Sequence, residues 1–197
     1  VPRQKRIDAT HLPDQAERFA MAAFGLDYLT TKGYVPVGFD HFALPSDPLV
    51  QAARSGKLHR NFQGFTDDTA PVLIGLGATA ISCFPQAIVQ NEKNAGRYQM
   101  MISQDHLPGA LGVLRSQDDR ARGAVIENLL CHGHALVPPD LLAGVTGAMT
   151  PFITRGLAQI SDSVVTIAPE GLPYTRTIAA LFDGYRQDSV RRFSSAV

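Results

Sequence analysis

The longest apolar run in the chain, APVLIGLGATAISCF at residues 70–84, has fifteen residues and already includes Thr79 and Ser82. A helix needs about 20 apolar residues to cross a bilayer, so this run belongs to a folded domain. Gly75 and Gly77 cut it into pieces the size of one strand or turn, and VLIGLG (72–77) reads as a buried strand or a tight turn. The rest of the chain must therefore fold around short, punctuated elements. Its 197 residues suffice for one large domain or two small ones with a real core. Formal net charge is zero, so no bulk field draws nucleic acid or anionic lipid. The basic start VPRQKRIDAT leads into no apolar signal core, so no secretory peptide is expected. Val1 in place of methionine suggests sequence upstream. Cys83 and Cys131 are far apart and fit a reduced, cytoplasmic setting in which both are buried thiols.

Periodicity divides the chain into two parts. Asp14 and Glu17 have capping-box spacing, and Phe19, Ala22, Ala23, Leu26 and Leu29 follow on one helical face that Gly33 ends. YVPVGFDHFA (34–43) reads as a short strand that delivers Asp40 and His41 at its carboxyl end. Ser46, Asp47 and Pro48 open a short helix, and Asn91 is expected to cap one running through Tyr98 to Ile102. Leu107, Pro108 and Gly109 mark a boundary, giving domains at 1–108 and 109–197. In the second, Ser116 and Asp119 begin a helix with Ala121, Val125 and Leu129 on one face, and Asp140 is expected to cap the next, to about Arg155. A hairpin from Ile160 to Ile167 turns at Asp162–Ser163. Pro173 opens a last helix carrying Ile178, Leu181, Phe182 and Tyr185. The expected class is α+β, with a small, mostly helical, winged-helix-like domain at the carboxyl end.

Several motifs invite chemistry. Gly75, Gly77 and Ala80 fit G-x-G-x-x-A, but the fingerprint needs a βαβ unit and an acid at the next strand tip. Glycines at a close backbone approach are the plainer reading. Cys131, His132 and His134 fall short of the four ligands of a structural zinc site and read as the end of a helix. Residues 109–197 hold eight arginines, no lysine and eight acids, which is no basic face for nucleic acid. Asp40 and His41 are either an acid/base pair or a satisfied structural pair.

LHRNFQGFT (58–66) shows neither helical spacing nor alternation. Arg54, Lys57, His59 and Arg60 place positive charge just before Phe62 and Gln63. That mixture suits a flat, partly apolar polyanion, with arginine for carboxylates and aromatics for faces. An ordered loop that satisfies its own backbone is the other reading.

GFDHFALPSDPLVQAARSGKLHRNFQGFT, then LIGLGATAIS and QNEK, closely resembles oxygen-independent coproporphyrinogen III oxidase, a radical S-adenosylmethionine (SAM) family. The likeness continues more loosely through RARGAVIENLLCHG and EGLPYTRTIAALFDGY, so it spans the chain but only the family's carboxyl-terminal half. It implies that residues 1–108 are the last part of a partial β/α barrel with its extension, and 109–197 the terminal domain. It also implies oxidative decarboxylation of two propionates of coproporphyrinogen III to vinyls, giving protoporphyrinogen IX. A [4Fe–4S] cluster and SAM would supply the radical, with an electron donor and acceptor as further partners. The family's C-x-x-x-C-x-x-C is absent, so this polypeptide alone is expected to hold no metal, to bind neither cofactor tightly and to be inactive. The resemblance makes Phe62 and Gln63 catalytic candidates and Ile81, within AIS, a SAM contact. Arg60, Asp40 and His41 are candidates for substrate binding. Phe65 stands where tyrosine is common, and Phe39 where methionine is common. The alternatives are the related heme chaperone, in which HRNFQGFT and FDHFA are not expected, and a non-catalytic interaction module. No nucleic-acid or membrane partner is expected.

Overall fold

A computed structural model describes residues 12–186; the basic start at 1–10 lies outside them. The fold is mixed helix and sheet, with no closed barrel among the described residues. Every strand pairing there is antiparallel, in four small sheets.

Helix α1 (Gln15–Thr31) starts at the expected capping box, in which Asp14 and Glu17 each accept the other's backbone N–H. Its apolar face is only partly covered: Phe19 packs against Tyr174 and Leu29 is half-buried, but α1 has no buried residue, and Met21, Phe24 and Tyr28 are exposed. The expected strand at 34–43 is instead a hairpin, β1 (Val35–Val37) with β2 (His41–Ala43). The turn forms because Gly38 has φ +60°, and a Cβ there would run into the Phe65 ring. Asp40 thus lies in a turn, and His41 opens a strand rather than closing one. Helix α2 (Pro48–Arg54) follows, with Asp47 capping the Leu49 N–H.

The segment without a period is ordered after all, as the hairpin β3 (His59–Arg60) and β4 (Phe65–Thr66). Two-residue strands are too short to show alternation, which is why the sequence hid them. Residues 72–77 are exposed and irregular, not a buried strand; Leu73 alone bridges to Cys83 of β5 (Ile81–Cys83). Strand β6 (Ala87–Asn91) pairs with β5 and with β7 (Gly109–Leu114). The cap of α3 (Ala95–Ser103) is Asn94, not Asn91. Asn91 is buried instead.

Helix α4 (Gln117–His132) begins at the expected Ser116–Asp119 capping box. After β8 (His134–Leu136), α5 (Pro139–Thr154) has Pro138 at its cap position, and Asp140 sits inside the first turn, so the expected Asp140 cap is not made. Proline's fixed φ starts that helix without a side-chain cap. Strands β9 (Ala158–Ser161) and β10 (Val164–Ile167) form the expected hairpin, turning at Asp162 and Ser163, both at positive φ. The last helix is broken: a 3₁₀ turn at Pro169–Tyr174, α6 (Thr175–Ala179) and another 3₁₀ turn at Ala180–Phe182. Pro173 falls inside the first turn, where it removes a backbone donor and interrupts the helix, and Tyr185 is exposed beyond the last.

Two cores result. The larger packs Val125 and Leu129 of α4 with Val145 and Met149 of α5, Val165 of β10, and Ile178 and Phe182. The smaller gathers Val37, Ala43, Val50, Ala52 and Leu58, and Cys131 from the other face of α4 joins it. Helix α4 is therefore the wall between the two.

Candidate functional site

The hairpin at 59–66 is built by Asn61. Its side-chain oxygen accepts the N–H groups of Gln63 and Gly64, at 2.8 and 3.2 Å, and its own N–H donates to the Gly64 carbonyl. This turn projects Phe62, which is 56% exposed, and Gln63 at the tip. The base is pinned from α4. One carboxylate oxygen of Glu127 lies 3.2 Å from both His59 Nδ1 and the Arg60 N–H.

Beside it, the β1–β2 turn brings Asp40 and His41 together, with Asp40 Oδ1 2.6 Å from His41 Nδ1. The other Asp40 oxygen accepts from Arg176 Nη2 at 3.4 Å. The His41 ring meets Phe65 edge-on, centroids 4.9 Å apart, and a Cβ on Gly64 would touch His41 Nε2. The Arg60 guanidinium lies over Phe65 at 4.8 Å and Phe39 at 5.5 Å, while Arg176 covers Phe39 at 5.2 Å. Such contacts fix a guanidinium without neutralising it. Arg60 keeps Nη1 buried with no partner among the described residues. Asp40, His41 and Arg60 thus share one cluster with the root of the Phe62–Gln63 tip.

Ile81 lies in a different sheet, half-buried on β5. Gly75 packs against it so closely that a Cβ would come within 2.6 Å of the Ile81 carbonyl oxygen. The glycine loop has no free amide at either glycine: Gly75 N–H donates to Ser82 Oγ and Gly77 N–H to the Tyr98 hydroxyl. Both glycine carbonyls accept from the buried Asn91 amide at 3.0 Å. A phosphate would find these donors spent, so close approach is what the glycines serve.

The thiols are held protonated. Burial, then the field of Glu127, pushes Cys131 up to about 12, and Arg60 offsets part of this. Burial raises Cys83 as well, against the field of Arg115. Iron takes the thiolate, and among the described residues no three His, Cys, Asp or Glu side chains gather as a metal site. These residues do not fit a [4Fe–4S] cluster. Burial, together with His134 and His59, pushes the His132 imidazolium down, with Glu127 opposing.

Arg176 and Glu127 escape sequence reasoning. They lie 136 and 68 positions from Asp40 and His59, and each occupies an ordinary polar position in a helical pattern. Only their place within the looser family-like stretches marks them.

No protein-family model matches the chain. An anaerobic coproporphyrinogen III oxidase of Cereibacter sphaeroides is 38% identical over 204 residues, covering 96% of this chain and 44% of that protein. The chain matches the carboxyl-terminal part of oxygen-independent coproporphyrinogen III oxidase. The Thermostichus vulcanus oxidase of that name is 36% identical, covering 100% of this chain and 64% of its own length. The solved structure of the Escherichia coli coproporphyrinogen III oxidase HemN, a radical SAM enzyme, superposes with a TM-score of 0.84 at 30% identity, over 93% of this chain and 44% of that one. The chain thus spans less than half the length of the Cereibacter and Escherichia coli oxidases. No described helix is long and apolar enough to cross a membrane.

Proposed function

We propose that the chain is the carboxyl-terminal part of an oxygen-independent coproporphyrinogen III oxidase and helps enclose coproporphyrinogen III during decarboxylation of two propionates to vinyls. The observation that carries this reading is the match, at TM-score 0.84 over 93% of the chain, to an enzyme of that name. The exposed faces of α1 and β7 support it, since they suit burial against more protein. Within this reading, residues 1–108 are the end of a partial barrel with its extension, and 109–197 are the terminal domain. After β7, which pairs with β6, the order helix, strand, helix, hairpin from α4 to β10 supports a winged-helix-like description of the latter.

SAM and a [4Fe–4S] cluster supply a carbon-centred radical in this chemistry. Ile81 would give SAM one apolar wall, and the cluster would be held by the part of the enzyme that this chain does not cover. The work of this chain is to bind, orient and exclude water. His41 and Arg176, both partly exposed, present cationic or hydrogen-bonding groups to a carboxylate. Arg60 acts on substrate through its charge, held on the Phe39 and Phe65 rings. Gln63 fixes a substrate or SAM polar group through its amide, and Phe62 shields the radical. Asp40 holds the His41 ring. The reading also takes an electron donor and acceptor as partners, no nucleic acid or membrane, and a cytoplasmic setting.

The test is a hybrid that joins this chain to the cluster-bearing amino-terminal part of the Cereibacter sphaeroides relative. Assayed anaerobically with SAM and a reductant, it is expected to form protoporphyrinogen IX. A folded, cluster-loaded hybrid that cleaves SAM yet leaves coproporphyrinogen III unchanged would contradict the proposal.

A further inference from the structure

A cavity of about 600 Å³ opens where the β1–β2 turn, the end of α2 and the end of α4 meet. Its polar lining is one-sided. Arg54, His132 and His134 contribute groups that carry or can take positive charge, Asn128 contributes an amide, and among the described residues no carboxylate lines it. At its margin Thr175, 1% exposed, has a hydroxyl with no hydrogen-bond partner among the described residues. Phe39 leads the apolar side. A buried hydroxyl without a partner is rare in folded proteins, and a water or ligand oxygen is what normally satisfies it.

We propose that this cavity binds a small molecule carrying an anionic group, carboxylate or phosphate, on an apolar body. Cations are disfavoured, because none of the described lining residues carries negative charge. A metal is disfavoured too, because no three His, Cys, Asp or Glu side chains converge among the described residues. The carboxylates that adjoin lining residues in sequence are already engaged, Asp40 with His41 and Arg176 and Glu127 with His59 and the Arg60 N–H. The volume exceeds what a bare ion needs and falls in the range of small-molecule pockets. The guanidinium supplies a planar fork suited to either anion, and Leu130 and Leu172 an apolar wall for the rest. This inference stands on the cavity's own residues and holds or fails independently of the oxidase reading.

The experiment is an NMR titration of the full chain near pH 6, with the Arg54 guanidinium cationic throughout. One arm uses inorganic phosphate and the other benzoate. Saturable shifts are expected at the Asn128 side-chain amide and at the Gly133 and Thr175 backbone amides. Saturation by phosphate alone would assign a phosphate ligand, and by benzoate alone a carboxylate on an apolar body. Arg54→Gln and His134→Ala, both at exposed positions, should each weaken binding at least tenfold. Thr175→Val should weaken it less while leaving the fold intact. Arg155→Ala, away from the cavity, should change nothing. The proposal is overturned if neither anion saturates below about 50 mM, weaker than the millimolar range of feeble ligands, or if Arg54→Gln binds as the parent does.

Discussion

Residues 116–182 and residues 12–114 treat their apolar patterning in opposite ways. In the first region the periodic faces of α4 and α5 close on one core, burying Val125, Leu129, Val145 and Met149 with Phe182. In the second, α1 buries nothing, all six residues of β7 are exposed, and Ile74 and Leu76 are 68% and 86% exposed. The two regions do not differ in the quality of their local signals: α1 has as complete a capping box as α4. Local capping fixes where a helix begins, whereas burial depends on what the rest of the fold puts against it. Apolar spacing therefore predicts a helix far better than it predicts a core.

The largest expected effect separates the regions directly. Phe182→Ala or Met149→Ala, each at a fully buried position, should cost about 3–5 kcal/mol in urea unfolding. Phe24→Ala on α1 should stay within about 0.5 kcal/mol. Equal losses would erase the distinction.

Cys131 sharpens the boundary, because it joins the smaller core from the helix that walls the larger one. Its thiol is raised from an ordinary 9.0 to about 12. The fold therefore favours the protonated thiol, and this stability is intact below pH 9 and is lost as pH rises toward 12. Three pKa units correspond to about 4 kcal/mol at that limit. Cys131→Ala should flatten the alkaline limb of the stability curve between pH 9 and 11, relative to the parent chain. An unchanged limb would mean that the thiol is more solvated than its 5% exposure indicates.

Smaller effects are expected in the exposed region. Gly75→Ala puts a methyl against the Ile81 backbone and should cost about 1–3 kcal/mol as overpacking. Differential unfolding would register it, and a neutral outcome would show that the glycine loop yields freely. Smaller still, Glu127→Gln should cost about 1 kcal/mol, as the loss of one charge-assisted contact to a half-exposed partner. It should also speed amide exchange at Arg60 and Gly64. Exchange unchanged at both would release the hairpin from α4.

The sequence made the capped helices legible, along with the Asp162–Ser163 turn and the family likeness, because each is written in neighbouring residues. A single polar residue near a boundary is a weaker guide: Asn91 is drawn into the glycine loop, leaving Asn94 to cap α3. The hairpin at 59–66 stayed hidden because Asn61 organises it through a side chain rather than through periodicity. The cluster around Asp40 was half visible. Its local pair with His41 adjoins in sequence, but Arg176 reaches it across 136 positions, and no spacing rule spans that distance.

The central claim is that the tip of the 59–66 hairpin acts on the reaction rather than on the fold. The measurement is protoporphyrinogen IX formation by the hybrid enzyme carrying Gln63→Ala, with cluster content and unfolding free energy taken on the same sample. Leaving a polar partner unpaired costs about 1–3 kcal/mol, roughly five- to hundredfold in rate. A misplaced radical adds on the order of a hundredfold. The account predicts a loss of at least tenfold in turnover with cluster content and stability within error of the parent. Turnover near the parental rate in a folded, cluster-loaded variant would contradict it.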